Sequence, residues 1–297
     1  MSNILIIGGD GYIGSHLTPY LKSKGLSVDT YGNRQTDYNA LSSEFIQSYE
    51  YIILLAGHSS VSCCNGDLKS PWNNNVRNFS NLVEKTSLYQ KIIYASSSSV
   101  YGNKGGKVFN ENDLSLSFVN NYDLTKISLD LLAQKYISVG KKVIGLRFGT
   151  VNGGSSIIRK DLMINAMVHS AKTTGVINVN NKTVTRPILS IRDLGRAVYS
   201  IVSGHYEFQC GIYNLASFNS TVDEISKLVK EKTGVEIINK GDYAGIYDFE
   251  TNTNKFKDSY NFEYGDTVES IIDNVIDCYY NKHPKIVNRN EYYNYIG

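Results

Sequence analysis

The residues best suited to chemistry are Tyr122 and Lys126, set four apart in Tyr122-Asp123-Leu124-Thr125-Lys126. The segment continues through Leu129, Leu131, Leu132 and Tyr136 and reads as a helix, on which this spacing puts a phenol and an ammonium on one face. A nearby cation favours phenolate, so the tyrosine pKa is expected to fall toward the working pH, as a general acid or base requires. With 23 tyrosines in the chain the spacing alone is not specific, and Tyr20 to Lys24 repeats it. Context separates the two. Tyr122 follows four segments that read as strands of a nucleotide-binding pattern, and the run Ser96 to Ser99 precedes it at the end of the strand Lys91 to Ala95. That is the edge where open α/β sheets bind ligands.

The elements that position such a pair begin at the N-terminus. Ile4-Leu5-Ile6-Ile7 reads as a buried strand, and Ile13 to Lys24 reads as a helix that stops at Gly25 and is bent by Pro19. Between them Gly8 permits a tight turn, Gly11 lets backbone approach a pyrophosphate, and Gly14 lets helix and strand pack closely. The spacing is G-x-x-G-x-x-G rather than G-x-G-x-x-G. A second strand, Leu26 to Tyr31, ends in Gly32-Asn33-Arg34, where an acidic residue would bond the adenosine ribose of NAD and an arginine would accommodate the 2′-phosphate of NADP. Gly32 with Arg34 points to NADP, with NAD as the alternative. Asp29 lies too early to reach the ribose, whereas Asp37 is placed to contact adenine. A third strand, Tyr51 to Leu55, runs into Ala56-Gly57-His58, small residues beside a cofactor, with His58 read as a polar wall. Pro71-Trp72 then opens a helix carrying Asn74-Asn75-Val76 and Leu82-Val83.

Composition narrows the remaining classes. The 297 residues include 30 basic and 28 acidic ones, so no long-range field argues for nucleic acid or an anionic membrane. Cys63, Cys64, Cys210 and Cys278 lack zinc-ligand spacing and read as free thiols in a reducing compartment, and no metal site is expected. With no leader sequence and no apolar run of membrane length, a cytoplasmic protein is expected. The tail Asn290 to Tyr295 reads as a surface or interface segment.

Taken together, these stretches resemble the extended short-chain dehydrogenases/reductases, the NAD(P)-dependent nucleotide-sugar epimerase/dehydratase family, over nearly the whole length. The marks are the Gly8 to Gly14 loop, Leu55-Ala56-Gly57, Asn75-Val76, Ser96-Ser97 through Val100-Tyr101-Gly102, and Tyr122 with Lys126. Leu146 to Gly153, Arg159 to Asn165 and Thr185 to Leu194 resemble later segments of the family. The resemblance implies an α/β fold, a Rossmann-type doubly wound parallel sheet with a smaller α/β C-terminal substrate domain. Residues 1–153, with returns near 186–216, would bind dinucleotide, and 154–185 and 217–297 would bind substrate.

By the same resemblance Ser97 and Tyr122 share the reacting sugar oxygen during hydride transfer. Lys126 binds the nicotinamide ribose and lowers the Tyr122 pKa. Gly8, Gly11, Tyr12, Ile13, Gly14, Asn33, Arg34, Asp37, Leu55, Ala56, Gly57 and Asn75 would line the cofactor. Ser98, Thr150, Asn165 and Arg186 would face a nucleotide-diphosphate sugar, with Arg186 on the diphosphate. A homodimer is implied too, through helices bearing Phe79, Leu82, Leu129 and Leu132, for which core packing is the other reading.

Departures from the family are informative. Members that eliminate water across C5 and C6 carry two acidic residues where Ser98 and Ser99 stand, and hydroxyls cannot replace them at neutral pH. A 4,6-dehydratase is therefore not expected. The neutral Gly32 favours a reductase that consumes NADPH, for instance on a keto-sugar nucleotide, over an epimerase that retains NAD. Thr150 in place of a common asparagine and Ser190 in place of a common histidine weaken a direct transfer of epimerase activity. Arg159 to Asn165 argues the other way, so an NAD-dependent epimerase or dehydrogenase stays as the alternative. A non-catalytic NADP-binding sensor has no need of an activated tyrosine.

Overall fold

Apolar runs alternating with helices build a parallel sheet whose crossovers lie on its faces. The computed structural model describes residues 3–32, 37–102, 105–113 and 118–288. The expectations for Asn33, Arg34 and the tail from Asn290 to Tyr295 lie outside these. The first part of the chain runs β1 (Asn3–Ile7), α1 (Gly14–Ser23), β2 (Ser27–Tyr31), α2 (Ser43–Gln47), β3 (Tyr51–Leu54), α3 (Val61–Cys64), α4 (Lys69–Trp72), α5 (Asn78–Lys85) and β4 (Lys91–Ser97). It continues through β5 (Lys107–Phe109), α6 (Asn121–Ser138), β6 (Lys142–Phe148), β7 (Thr150–Asn152), β8 (Ile157–Arg159), α7 (Met163–Thr174), β9 (Val176–Val179), β10 (Thr185–Ser190), α8 (Ile191–Val202) and β11 (Gly211–Leu215). Last come β12 (Phe218–Thr221), α9 (Val222–Thr233), β13 (Glu236–Asn239), β14 (Phe249–Thr251), α10 (Asn254–Tyr260), α11 (Val268–Asn281) and β15 (Lys285–Val287).

Six strands form one parallel sheet in the order β11-β6-β4-β3-β1-β2. This is the expected Rossmann-type α/β fold. Ile4 to Ile7 are wholly buried, as a central parallel strand covered on both faces must be, which is why its run is continuous rather than alternating. Strand order reverses at β1, between β2 and β3, so the crevice beyond the carboxyl ends of β1 and β3 is the switch point where such sheets take ligands. The smaller sheets interlace early and late chain: β7 and β12 flank β10, β14 pairs with β5, and β15 pairs with β8.

Local signals act with some differences from expectation. The helix expected from Pro71 starts at Lys69, and its Asn73–Arg77 stretch is a π turn that carries Asn75. Thr221 and Glu224 form a capping box at the start of α9. Thr267 forms one as well although no acid stands at the third position, because the Ser270 hydroxyl accepts the Thr267 N–H at 3.0 Å. Phe79, Leu82 and Leu129 are buried in the chain's own core, with the half-buried Leu132 packed against them. Among the described residues no helix is long and apolar enough to cross a membrane.

Candidate active site

The loop after β1 is closed by the Gly8 N–H donating to the Tyr31 carbonyl at 2.7 Å and the Gly11 N–H donating to the Gly8 carbonyl at 3.1 Å. Gly8 has φ +94°, and a Cβ there would stand 2.6 Å from the Ala56 nitrogen; one on Gly14 would stand 2.5 Å from the Gly9 Cα. The loops after β1 and β3 therefore touch, α1 begins against the first of them, and side chains are excluded at both positions. No side chain caps α1, and among the described residues no acceptor takes the Tyr12 or Ile13 N–H. Free donors at a helix N-terminus form a cradle that fits a pyrophosphate. Gly32, with φ +127° and room for a Cβ only 3.2 Å from the Gly8 nitrogen, is a position that resists any acidic side chain. Tyr12 could serve this cradle through its backbone alone, since its buried hydroxyl donates inward to the Gly153 carbonyl at 2.8 Å.

The opposite wall is held by Asn75. Its Oδ1 accepts the His58 N–H at 2.8 Å, and its Nδ2 donates to the His58 carbonyl and to Thr125 Oγ1, both at 3.1 Å. A Cβ on Gly57 would stand 2.7 Å from the Asn75 Oδ1. Asn75, expected against the cofactor, here positions the Ala56-Gly57-His58 turn, and the Leu55 and Ala56 N–H groups are both taken by the Ile7 carbonyl. Asp37 is exposed and accepts from Asn39 N–H and Asn78 Nδ2.

Ser97, Tyr122 and Lys126 meet at the end of β4. The Ser97 hydroxyl caps the turn Ser98–Tyr101, accepting the Ser99 N–H at 3.2 Å and donating to Ser99 Oγ at 3.0 Å. Asn120 caps α6 by accepting the Asp123 N–H at 3.0 Å, which sets Tyr122 in the first turn with its phenol near the Ser97 hydroxyl. Lys126 lies one turn on, and its Nζ donates to the Ala95 carbonyl at 2.8 Å.

The electrostatics correct one expectation. Burial pushes the Tyr122 phenol up to about 12 rather than down, although the Ser97 hydroxyl and the Arg159 guanidinium pull the other way. Burial also brings Lys126 down to about 8, against the attraction of Asp130. The cation is desolvated with the phenol it was expected to activate, and its donor is aimed at a strand carbonyl. Arg159, buried and paired with both carboxylate oxygens of Asp161 at 3.1 and 2.5 Å, also reaches toward Ser59, with 3.4 Å between its Nη1 and both Ser59 oxygens.

The expected substrate residues fare differently. Ser98 is buried in the turn after Ser97, and Thr150 pairs beside Ile188 in β7. Asn165 is fully buried: its Oδ1 accepts the Gly153 N–H at 3.0 Å, and its Nδ2 donates to Tyr12 Oη and the Arg159 carbonyl at 3.1 and 3.2 Å. With its amide spent on the core, Asn165 ties α7 to the glycine loop instead of facing a ligand. Arg186 sits in β10 with its guanidinium 5.4 Å from the Tyr247 ring centre, its Nε has no hydrogen-bond partner among the described residues, and burial lowers its pKa. Sequence reasoning missed Asp123 and Tyr247, which meet beside Tyr122. Asp123 carried a signal as the acid three residues after an asparagine cap; Tyr247, 124 residues away, carried none.

Residues 4–216 match the NAD dependent epimerase/dehydratase family. The chain is similar to an uncharacterized protein of Methanocaldococcus jannaschii, 28% identical over 80% of each chain. It is also similar to protein CapI of Staphylococcus aureus, 27% identical over 67% of this chain and 69% of CapI. Among solved structures, MoeE5 in complex with UDP-glucuronic acid and NAD shares the fold with a TM-score of 0.82 at 21% identity, over 93% of this chain and 98% of MoeE5. RMD from Pseudomonas aeruginosa complexed with NADPH shares it with a TM-score of 0.80 at 19% identity, over 95% and 100%. The family match runs from β1 to the residue after β11 and takes in the glycine cradle, Ser97, Tyr122 and Lys126; the chain belongs to the NAD dependent epimerase/dehydratase family.

Proposed function

We propose that this chain is an NAD(P)-dependent oxidoreductase acting on a sugar linked to a nucleotide diphosphate, and that it reduces a keto sugar with NADPH. The observation that carries the reading is the meeting of Ser97, Tyr122 and Lys126 at the carboxyl edge of the same sheet that holds the glycine cradle. The cradle and the turn at Ala56-Gly57 would hold the dinucleotide, and a bound nicotinamide supplies the hydride. Tyr122 gives its proton to the sugar oxygen, Ser97 shares a hydrogen bond with that oxygen, and the Lys126 ammonium stabilises the phenolate left behind. Arg186, whose Nε has no hydrogen-bond partner among the described residues, would take the diphosphate. Ser98 and Ser99 are buried hydroxyls that supply neither acid nor base for elimination. Gly32, followed in sequence by Arg34, supports NADP.

A second reading is epimerisation with retained NAD, supported by the family match and by the structural likeness to MoeE5 bound to UDP-glucuronic acid and NAD. One experiment separates the two: purified protein is given a 4-keto nucleotide sugar with NADPH, and separately UDP-glucuronic acid with NAD. Net NADPH oxidation favours the first reading, and an epimer formed without net cofactor change favours the second. Tyr122→Phe should abolish either turnover while leaving cofactor affinity nearly intact, and retained turnover would remove Tyr122 from the mechanism.

A further inference from the structure

Arg147, in β6, buries a guanidinium that grips two separate elements. Its Nε donates to Asp130 Oδ2 at 2.7 Å, and both side chains are sealed from solvent. Its Nη1 donates to Tyr101 Oη at 2.9 Å and to the Glu111 carbonyl at 3.1 Å. Asp130 stands in α6 one turn beyond Lys126, and its other oxygen accepts the Tyr94 hydroxyl at 2.8 Å. Tyr101 closes the turn Ser98–Tyr101 that Ser97 caps, and its hydroxyl donates onward to Asn214 Oδ1 at 2.6 Å. One guanidinium therefore joins the turn behind Ser97 to the helix that carries Tyr122 and Lys126.

Gly145 is the β6 partner of Tyr94 in the sheet, and a Cβ there would overlap the Tyr94 phenol, so glycine leaves the space through which that hydroxyl reaches Asp130. A buried ion pair repays little of its desolvation, and apolar residues of similar volume are often as stable in its place. What such a pair does best is fix register. Here both Asp130 oxygens have donors, and Tyr101 Oη accepts once and donates once, so the joined elements are held at one relative setting. Lys126 shares that setting, since its Nζ donates to the carbonyl of Ala95, the residue after Tyr94 in β4. We infer that Arg147 and Asp130 are positioning residues, which hold α6 against the end of β4 so that Ser97 stays opposite Tyr122. The inference rests on the oxidoreductase reading of Ser97, Tyr122 and Lys126.

The test places a fluorotyrosine at position 122 of the full chain and reads its fluorine NMR resonance, which requires no substrate. Tyr101→Phe releases the turn from Arg147 and leaves the ion pair intact, whereas Arg147→Lys keeps the charge and loses the fork that reaches both partners. Tyr136→Phe is the control, because it removes a hydroxyl from the far end of α6, bonded to Ser80 Oγ at 2.6 Å, with no link to Arg147. Thermal melts check that each variant folds. Tyr101→Phe and Arg147→Lys should each move or split the resonance, while Tyr136→Phe should keep the parent position. With the probe substrate turned over by the parent protein, Tyr101→Phe should lower kcat about tenfold with KM unchanged, the loss of one oriented hydrogen bond. A parent resonance in folded Tyr101→Phe overturns the inference, and so does an equal displacement in Tyr136→Phe, which would trace the change to lost stability. Should Tyr101→Phe not fold, Tyr94→Phe takes its place, releasing Asp130 on the helix side with the same expected and overturning results. If the parent protein turns over neither the 4-keto nucleotide sugar nor UDP-glucuronic acid, the oxidoreductase reading fails, while the resonance still decides whether Arg147 sets the surroundings of Tyr122.

Discussion

Lys126 Nζ stands 5.7 Å from the centre of the Tyr122 ring, yet its hydrogen bond goes to the Ala95 carbonyl at the end of β4. The pair shares a helical face without the ammonium pairing with the phenol oxygen. Desolvation disfavours the charged form of both groups, and a ligand that brings hydroxyls and charge into the crevice has the most to change there.

Lys126→Met should raise stability at pH 7 while abolishing turnover. Burial lowers Lys126 from its ordinary 10.5 to about 8, so the folded state releases a proton that the unfolded chain still holds between those values. Stability of the parent protein therefore rises with pH across that window, and the cost of the buried ammonium is fully present below it. Removing it should gain about 1–3 kcal/mol at pH 7, part being offset by the lost bond to Ala95. Urea unfolding at pH 7 and pH 10 checks this, because the advantage should shrink at the higher pH.

Gly14→Ala should destabilise the protein by about 1–3 kcal/mol, since the new methyl overlaps backbone that cannot step aside. Dinucleotide affinity should fall with it, because α1 would withdraw its free N–H groups from the cradle. A fluorescence titration with NADPH measures the loss. Parent affinity in this variant would remove the loop from cofactor binding.

Arg34→Ala should weaken NADP binding about tenfold or more, the worth of a charge-assisted bond to the 2′-phosphate, and leave NAD nearly unchanged. Calorimetry with both dinucleotides decides it. Equal losses would withdraw the preference for NADP.

Arg186→Ala should raise KM for a nucleotide-diphosphate sugar about tenfold with little change in kcat, the signature of lost ground-state binding. Inhibition by free UDP should weaken in parallel. An unchanged KM would mean that the Arg186 Nε serves some other anion.

By itself the sequence determined what depends on near neighbours. The Ile4 to Ile7 run and the glycines after it specify strand, turn and helix, because φ above zero and close backbone approach admit no side chain. Four-residue spacing brings Tyr122 and Lys126 to one face of α6 because a helix repeats every 3.6 residues. Tertiary structure decided what depends on distant partners. It turned Asn165 inward onto Tyr12, 153 residues away, and made Asn75 a brace for His58. It also brought Tyr247 to Asp123 and raised the Tyr122 pKa that spacing alone predicted to fall. Local pattern encodes backbone conformation and helical face; which polar groups lose water, and which donors then satisfy them, is settled only when remote segments pack together.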